Sequence, residues 1–233
     1  MKKTVYALLL SGCLLAHFLP AITASLPQDE NPELKKVQDA ILVCKDLIGS
    51  PDEEIPKSLL NNAQAIAVIP GVVKAGYIIG GQHGKGVLMV RLENGGWSYP
   101  VFIKLTGGSI GFQAGVEKAD IILVFKDKKS VQTIAKGKFT LGADASIAAG
   151  PVGAGASAST DIRFESEIYS YSKAKGLFGG ISLKGADLQI DKDADAKFYR
   201  SFDLTTEDIL KRTDFEAPQA ARDLREIIAK YAK

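Results

Sequence analysis

The sequence predicts an α+β domain: a β-rich, mostly antiparallel sheet, curled or barrel-like, flanked by N-terminal and C-terminal helices. Three observations predict it. From Phe139 to Ile190, small and apolar residues alternate with polar ones in short consecutive segments, the period of strands with one buried face. Fourteen of the nineteen residues from Gly142 to Thr160 are Gly, Ala or Ser. Such residues let backbones approach closely and are poor strand formers, so a sheet made of them is held by tight packing and tends to curl or close. Apolar residues spaced by three and four occur mainly near the two ends, from Pro32 and from Pro218.

Residues 1–24 read as a secretory signal: Lys2-Lys3, an apolar run from Val5 to Leu19, and a small residue, Ala24, before Ser25. The expectation is an exported, periplasmic protein with a single domain over residues 25–233. Leu10-Ser11-Gly12-Cys13 offers an alternative in which residues 1–12 are a lipoprotein signal and a lipidated Cys13 anchors the chain to the outer membrane.

Asn31-Pro32 opens a helix as N-cap and first turn, with Leu34, Val37, Ile41, Cys44 and Leu47-Ile48 on its apolar stripe. Cys44 is the one cysteine left once Cys13 is removed with the leader, and its place on the stripe assigns it to packing. A turn from Gly49 to Pro56 and a short helix from Ser58 to Gln64 follow, then the apolar run Ala65–Ile69, stopped by Pro70-Gly71. Tyr77–Ile79 and Val87–Arg91 read as the arms of a hairpin with Gly80–Gly86 at its tip. Asn94-Gly95-Gly96 makes the next turn. Trp97–Leu105 and Ser109–Val116 form another pair around Thr106-Gly107-Gly108.

Asp120–Phe125 lacks alternation and reads as a strand covered on both faces, with a short helix, Lys128–Ala135, outside it. Phe139–Ala149 and Val152–Phe164 form a tightly packed hairpin around Gly150-Pro151. Glu167–Lys173, Leu177–Leu183 and Lys184–Ile190 continue the meander, with Lys175-Gly176 as a break. Asp193–Tyr199 and Thr206–Arg212 are brief helices, and the last helix, over residues 218–232, carries Ala221, Leu224, Ile227-Ile228 and Tyr231 on one stripe.

Composition excludes more than it selects. The chain has 29 basic and 27 acidic residues; removing Lys2 and Lys3 with the leader balances the charges, so nucleic acid is not expected as a partner. Gly80–Gly86 lacks the spacing of a phosphate loop, has Gly86 where Ser or Thr is required, and joins strands without a helix to receive phosphate. It keeps only a looser anion site of glycine amides and Lys85. Asp191, Asp193 and Asp195 begin like a calcium loop, but Ala196 and Phe202 stand where Gly and Glu are needed, which leaves a solvated turn capping a helix. His83 is the single histidine beyond the leader, no Gly-x-Ser-x-Gly occurs, and Asp161, Glu165 and Glu167 read as the wet face of a strand. The expectation is a protein that is not an enzyme and takes no metal or cofactor. One run has another chemistry. Tyr169-Ser170-Tyr171-Ser172-Lys173-Ala174-Lys175-Gly176-Leu177-Phe178, with Lys184 after it, sets ammonium groups and a glycine turn among aromatic rings, a mix that suits a lipid headgroup at an interface. The competing reading puts the tyrosines in the core and leaves the lysines simply exposed.

At these residues the chain resembles the SYLF domain family. The resemblance is carried by Ala65-Ile66-Ala67-Val68-Ile69-Pro70, Lys74-Ala75-Gly76, Gly84-Lys85-Gly86-Val87-Leu88 and Gly95-Gly96-Trp97-Ser98-Tyr99-Pro100. It continues in Gly107–Gly115, Phe139–Ser146, Ala149–Gly153 and Tyr169–Lys173, in the family's order from about Leu34 to about Tyr199. It implies a β-rich domain with flanking helices, affinity for acidic lipids, often phosphoinositides in eukaryotic members, and no catalytic residues. Some fungal members bind actin, which carries over poorly to an exported protein, so actin is not expected here. The combined expectation is a module that recognises acidic phospholipid headgroups at an envelope membrane surface. Lys173, Lys175, Lys184, Lys74 and Lys85 would meet the phosphates, with Tyr171 and Phe178 facing the membrane. The alternatives are a non-catalytic envelope scaffold or protein-interaction module, and an enzyme built around His83.

Overall fold

Two long strands set the architecture. A computed structural model describes residues 31–49, 55–151, 165–174, 177–179 and 183–233, with the side chains of 76–79, 109–115 and 177–179 left aside. Strand β1 (Ala65–Val90) and strand β2 (Val101–Phe125) run antiparallel, from Ala65 opposite Phe125 to Leu88 opposite Val101. Their connection is closed by an Arg91–Trp97 bridge around Asn94-Gly95-Gly96, where Gly95 has φ +82°. The turn at residues 94–96 is therefore where the sequence puts it. The two hairpins read on either side of it are not formed, because Gly80–Gly86 and Thr106–Gly108 lie inside β1 and β2. Pro70-Gly71 does not end a strand either. The register shifts between Ile69 and Val72, a bulge that bends a strand without breaking it. Gly71 supplies the positive φ of +62° and donates its N–H to Asp120 Oδ1 at 2.7 Å.

The glycines of β1 let the strand cross itself. Residues 15 apart on a straight strand are about 50 Å apart. A Cβ placed on Gly84, however, would stand 2.9 Å from Ile69 Cγ2, and one on Gly86 would stand 2.7 Å from Ile69 Cα and strike the Val68 carbonyl oxygen. The ribbon therefore turns back until its two halves touch, which is the predicted curl, produced by residues assigned to a turn.

Strand β2 is the spine. Beyond β1 it pairs with β5 (Ile168–Ala174) through Asp120–Phe125 and with β7 (Asp187–Ile190) through Ile103–Thr106. Strand β3 (Phe139–Thr140) adds to β7, β4 (Ile147–Ala149) runs parallel to β5, and β6 (Leu177–Gly179) pairs with β5, which makes a mostly antiparallel sheet of seven strands among the described residues. Ile121–Phe125 is fully buried between two paired neighbours, as its lack of alternation predicts. The Phe139–Ala149 strand is corrected: Gly142 at φ +81° turns the chain after Thr140, so two short strands replace one. Its partner segment, 152–164, lies outside the described residues, as do 1–30 and Lys175-Gly176.

Helix α1 (Pro32–Leu47) starts where Asn31 Oδ1 accepts from the N–H groups of Glu33 and Leu34, 3.0 Å each. It buries Val37, Ala40, Val43, Cys44 and Leu47, so the buried stripe is rotated away from Leu34, which is exposed. The Cys44 thiol is buried and unpaired, and burial pushes it up to about 12, the state of an inert core sulfur. Four helices follow outside the strands: α2 (Lys57–Asn61), α3 (Lys128–Lys136), α4 (Lys192–Tyr199) and α5 (Thr206–Lys211). The last, α6 (Gln219–Tyr231), lies against α1 and buries Ala220, Ala221, Leu224 and Ile228. No described helix is long and apolar enough to cross a membrane.

Candidate functional site

The antiparallel register of β1 and β2 places Lys85 opposite Lys104 and His83 opposite Thr106. Directly opposed residues share a face of the sheet, and alternation puts these on the outer one: Gly81, His83 and Lys85 are exposed, whereas Gln82, Gly84 and Gly86 are buried. Strand β7 extends both rows, with Gln189 beside Lys104 and Asp187 beside Thr106, and β3 adds Thr140 beside Asp187. The result is an open polar face spanning four strands, with Lys85 and Lys104 side by side at 57% and 36% side-chain exposure.

Two carboxylates control this face from the start of α4. Asp191 caps that helix, accepting from Ala194 N at 3.3 Å, and lies 2.9 Å from Lys104 Nζ and 3.8 Å from Lys85 Nζ. One turn on, Asp195 is 3% exposed. Its Oδ1 accepts the Phe102 N–H at 2.7 Å, while Oδ2 is buried without a hydrogen-bond partner. The Asp191 N–H in turn donates to the Phe102 carbonyl at 2.8 Å, so both aspartates dock α4 on one residue of β2. The solvated turn expected for Asp191–Asp195 is thereby corrected: the helix cap is present, but both carboxylates are buried because α4 is pressed onto the sheet. Burial carries Asp195 up to about 7; the charge of Asp191 acts in the same direction and the Phe102 amide against it. At the other end of the face Lys138 reaches Asp187 at 2.8 Å and the Thr140 hydroxyl donates to it at 2.6 Å, which together hold Asp187 below the usual carboxylate range.

The raised Asp195 makes stability pH-dependent. A folded-state value above the unfolded one of 3.8 stabilises the fold fully below that value, and the contribution is lost as pH rises through about 7. Wild-type protein is expected to lose about 2–3 kcal/mol through this group between pH 5 and pH 8, and Asp195→Asn to remove that loss. Urea unfolding at the two pH values measures it, and equal slopes in both proteins would refute the assignment.

The lysines predicted from sequence do not converge. Lys85 is on the outer face. Lys184 is exposed on the turn before Asp187, its stem over Gly142. Lys74 is half-buried and opposite Glu117 in the ribbon. Lys173 is only 24% exposed and bound to Asp46 at 2.8 Å, so it is already neutralised by α1. Tyr171 is corrected from membrane-facing to core: it is 1% exposed, burial raises its hydroxyl, and its ring lies so close to Gly150 that a Cβ there would collide with it. Lys175, the Phe178 side chain and Cys13 lie outside the described residues. Lys104, Lys138 and Asp191 were missed. Lys104 carries no local signal: counting out from the Arg91–Trp97 bridge would set Lys85 opposite Ile103, and the register slips by one residue before Leu88 and Val101. No group of His, Cys, Asp and Glu suited to a metal occurs among the described residues.

Residues 106–231 match the family model described as Ysc84, Las17-binding protein actin regulator. The chain is 35% identical over 186 residues to the SH3 domain-containing YSC84-like protein 1 of Xenopus laevis, covering 79% of this chain and 55% of that protein. It is 31% identical over 211 residues to the human protein of the same name, covering 89% of this chain and 61% of that one. It is 33% identical over 216 residues to Protein YSC84 of Saccharomyces cerevisiae, covering 91% and 46%. The chain thus spans about half the length of these curated relatives. The description of the family model weighs against setting actin aside as a partner.

Proposed function

Because the chain belongs to the Ysc84 family, the SYLF family, we propose that it is an exported, non-catalytic binding module whose outer sheet face takes acidic phospholipid headgroups at an envelope membrane. The observation that carries this reading is the direct opposition of Lys85 and Lys104 on an open face, with Asp191, among the described residues, the one carboxylate paired to both. Two ammonium groups at that spacing complement a phosphate, and each lysine near an anionic surface contributes about 1 kcal/mol. At the far end of the face Lys138 is held by Asp187 at 2.8 Å.

The test is co-sedimentation with phosphatidylcholine vesicles with and without phosphatidylglycerol. Lys85→Gln combined with Lys104→Gln, which keeps a hydrogen-bond donor toward Asp191, should weaken binding to the anionic vesicles about 30-fold, whereas Lys173→Gln should leave it unchanged. Equal binding to neutral and anionic vesicles, or no response to salt, would sink the headgroup role. A second reading, a protein-interaction module acting on actin, is favoured by the description of the matching family model. Co-sedimentation with filamentous actin in the absence of lipid tests it.

A further inference from the structure

We infer that Asp191 and Asp195 form a proton-operated control on the Lys85–Lys104 face, in which uptake of one proton at Asp195 turns a charge-balanced cluster cationic and strengthens its hold on anionic headgroups. This regulation rests on the headgroup reading above. The cluster holds two ammonium groups and two carboxylates. Asp191 is bound to both lysines. Asp195, one turn along the same helix, touches neither lysine, and its buried Oδ2 has no hydrogen-bond partner. It is therefore the carboxylate whose ionisation is least supported, since a buried charge without partners is costly.

The surroundings of Asp195 point the same way. Strand β2 offers it one backbone N–H, that of Phe102. Helix α5 brings the Thr206 hydroxyl near it, but that hydroxyl is itself buried without a hydrogen-bond partner. Its own helix sets Asp191 on one side and Tyr199 on the other. The Tyr199 hydroxyl is spent on the Pro100 carbonyl at 2.7 Å and is itself pushed up by burial and by the charge of Asp195. Tyr99, from the β1–β2 connection, faces Tyr199 and adds no cation. Helix α1 also packs on α4, but the groups acting on Asp195 come from β2, α4 and α5. No lysine or arginine is among them, so Asp195 crosses from neutral to charged close to neutral pH. The two aspartates are linked to the face through one residue: the Asp191 backbone N–H donates to the Phe102 carbonyl and Asp195 Oδ1 accepts the Phe102 N–H, two residues from Lys104. His83 lies on the same face, opposite Thr106, and its substitution is therefore the control.

Vesicles of phosphatidylcholine and phosphatidylglycerol provide the probe, because a phosphodiester holds a constant charge across the window. Wild type and His83→Gln are expected to bind them about three- to tenfold more weakly at about pH 8 than at about pH 6. Asp195→Asn keeps an acceptor for the Phe102 N–H and should hold the tighter affinity at both values. A pH response that survives in Asp195→Asn, or vanishes in His83→Gln, overturns the inference. If no protein binds vesicles at either pH, the headgroup reading fails by itself. The switch is then read on the free protein by carboxyl carbon NMR: an Asp195 midpoint near neutrality upholds it, and one in the ordinary carboxylate range overturns it.

Discussion

Gly86→Ala is expected to prevent the chain from accumulating as folded protein. A methyl group at Gly86 would be driven into the Val68 carbonyl oxygen and stand 2.7 Å from Ile69 Cα. Both obstacles are backbone atoms of the buried first half of the same strand, so no side-chain rotation relieves them, and opening the crossing would expose Val68, Ile69 and Val72. We expect a loss of about 3 kcal/mol or more, read as reduced soluble yield and a lower Tm. Gly108→Ala is the matched control: a Cβ there meets nothing within 4 Å, and removing a glycine from an extended segment costs little or stabilises slightly. A Gly86→Ala protein that melts with the wild type would show that the ribbon does not close on itself.

Arg91→Ala is expected to cost about 3–4 kcal/mol, far above an ordinary surface substitution. The guanidinium sits 4.7 Å over the Trp97 ring and donates to the Ala63 carbonyl at 2.7 Å and the Gly95 carbonyl at 3.1 Å. It also reaches the carbonyls of Leu60, Asn61 and Ala232 at 3.3–3.4 Å. Trp97 Nε1 donates to the same Ala232 carbonyl at 3.0 Å, and the Lys233 N–H to Asn61 Oδ1 at 3.2 Å. One planar cation thus ties the β1–β2 turn to the end of α2 and to the C-terminal residues. Its loss strands several carbonyls at once, and each lost bond to a charged donor is worth about 1.5–3 kcal/mol before water repairs part of it. Lysine presents its donors at a point and cannot span these directions or stack, so Arg91→Lys should recover less than half. Urea unfolding of the two variants decides it; full recovery by lysine would reduce the role to one of charge.

Both predictions concern residues that local pattern alone does not distinguish. Gly86 resembles a turn glycine, since a cluster such as Gly80–Gly86 serves equally well where a chain reverses and where two layers meet. Arg91 resembles the polar end of a strand. The features that were legible are those set by a few neighbours: the Asn31 cap and Pro32 start of α1, the covered segment Ile121–Phe125, the turn at 94–96 and the Asp191 cap of α4. The site was half legible. Lys85 was found because glycines isolate it, whereas Lys104 stands in an ordinary strand and matters only through register. Lys173 and Tyr171 misled because, two residues apart, they share one face of β5, and that face is covered: Tyr171 is buried and Lys173 ends on Asp46 of α1.

The sequence by itself determined the class of the fold, the positions of the helices, the closeness of packing and the family. The first three follow from composition and short periods, which act over a turn or a strand length; the family follows from the ordered set of blocks by which the chain resembles it. The tertiary structure alone decided that two strands of 26 and 25 residues run where several short ones were expected, that β1 crosses itself at Gly84 and Gly86, and that Asp195 is buried one helical turn from the Asp191 that binds both lysines. Strand pairing and burial are long-range. Hydrogen bonds between residues such as Gly71 and Asp120, or Phe102 and Asp195, form only when the whole sheet has closed, and no local pattern records them.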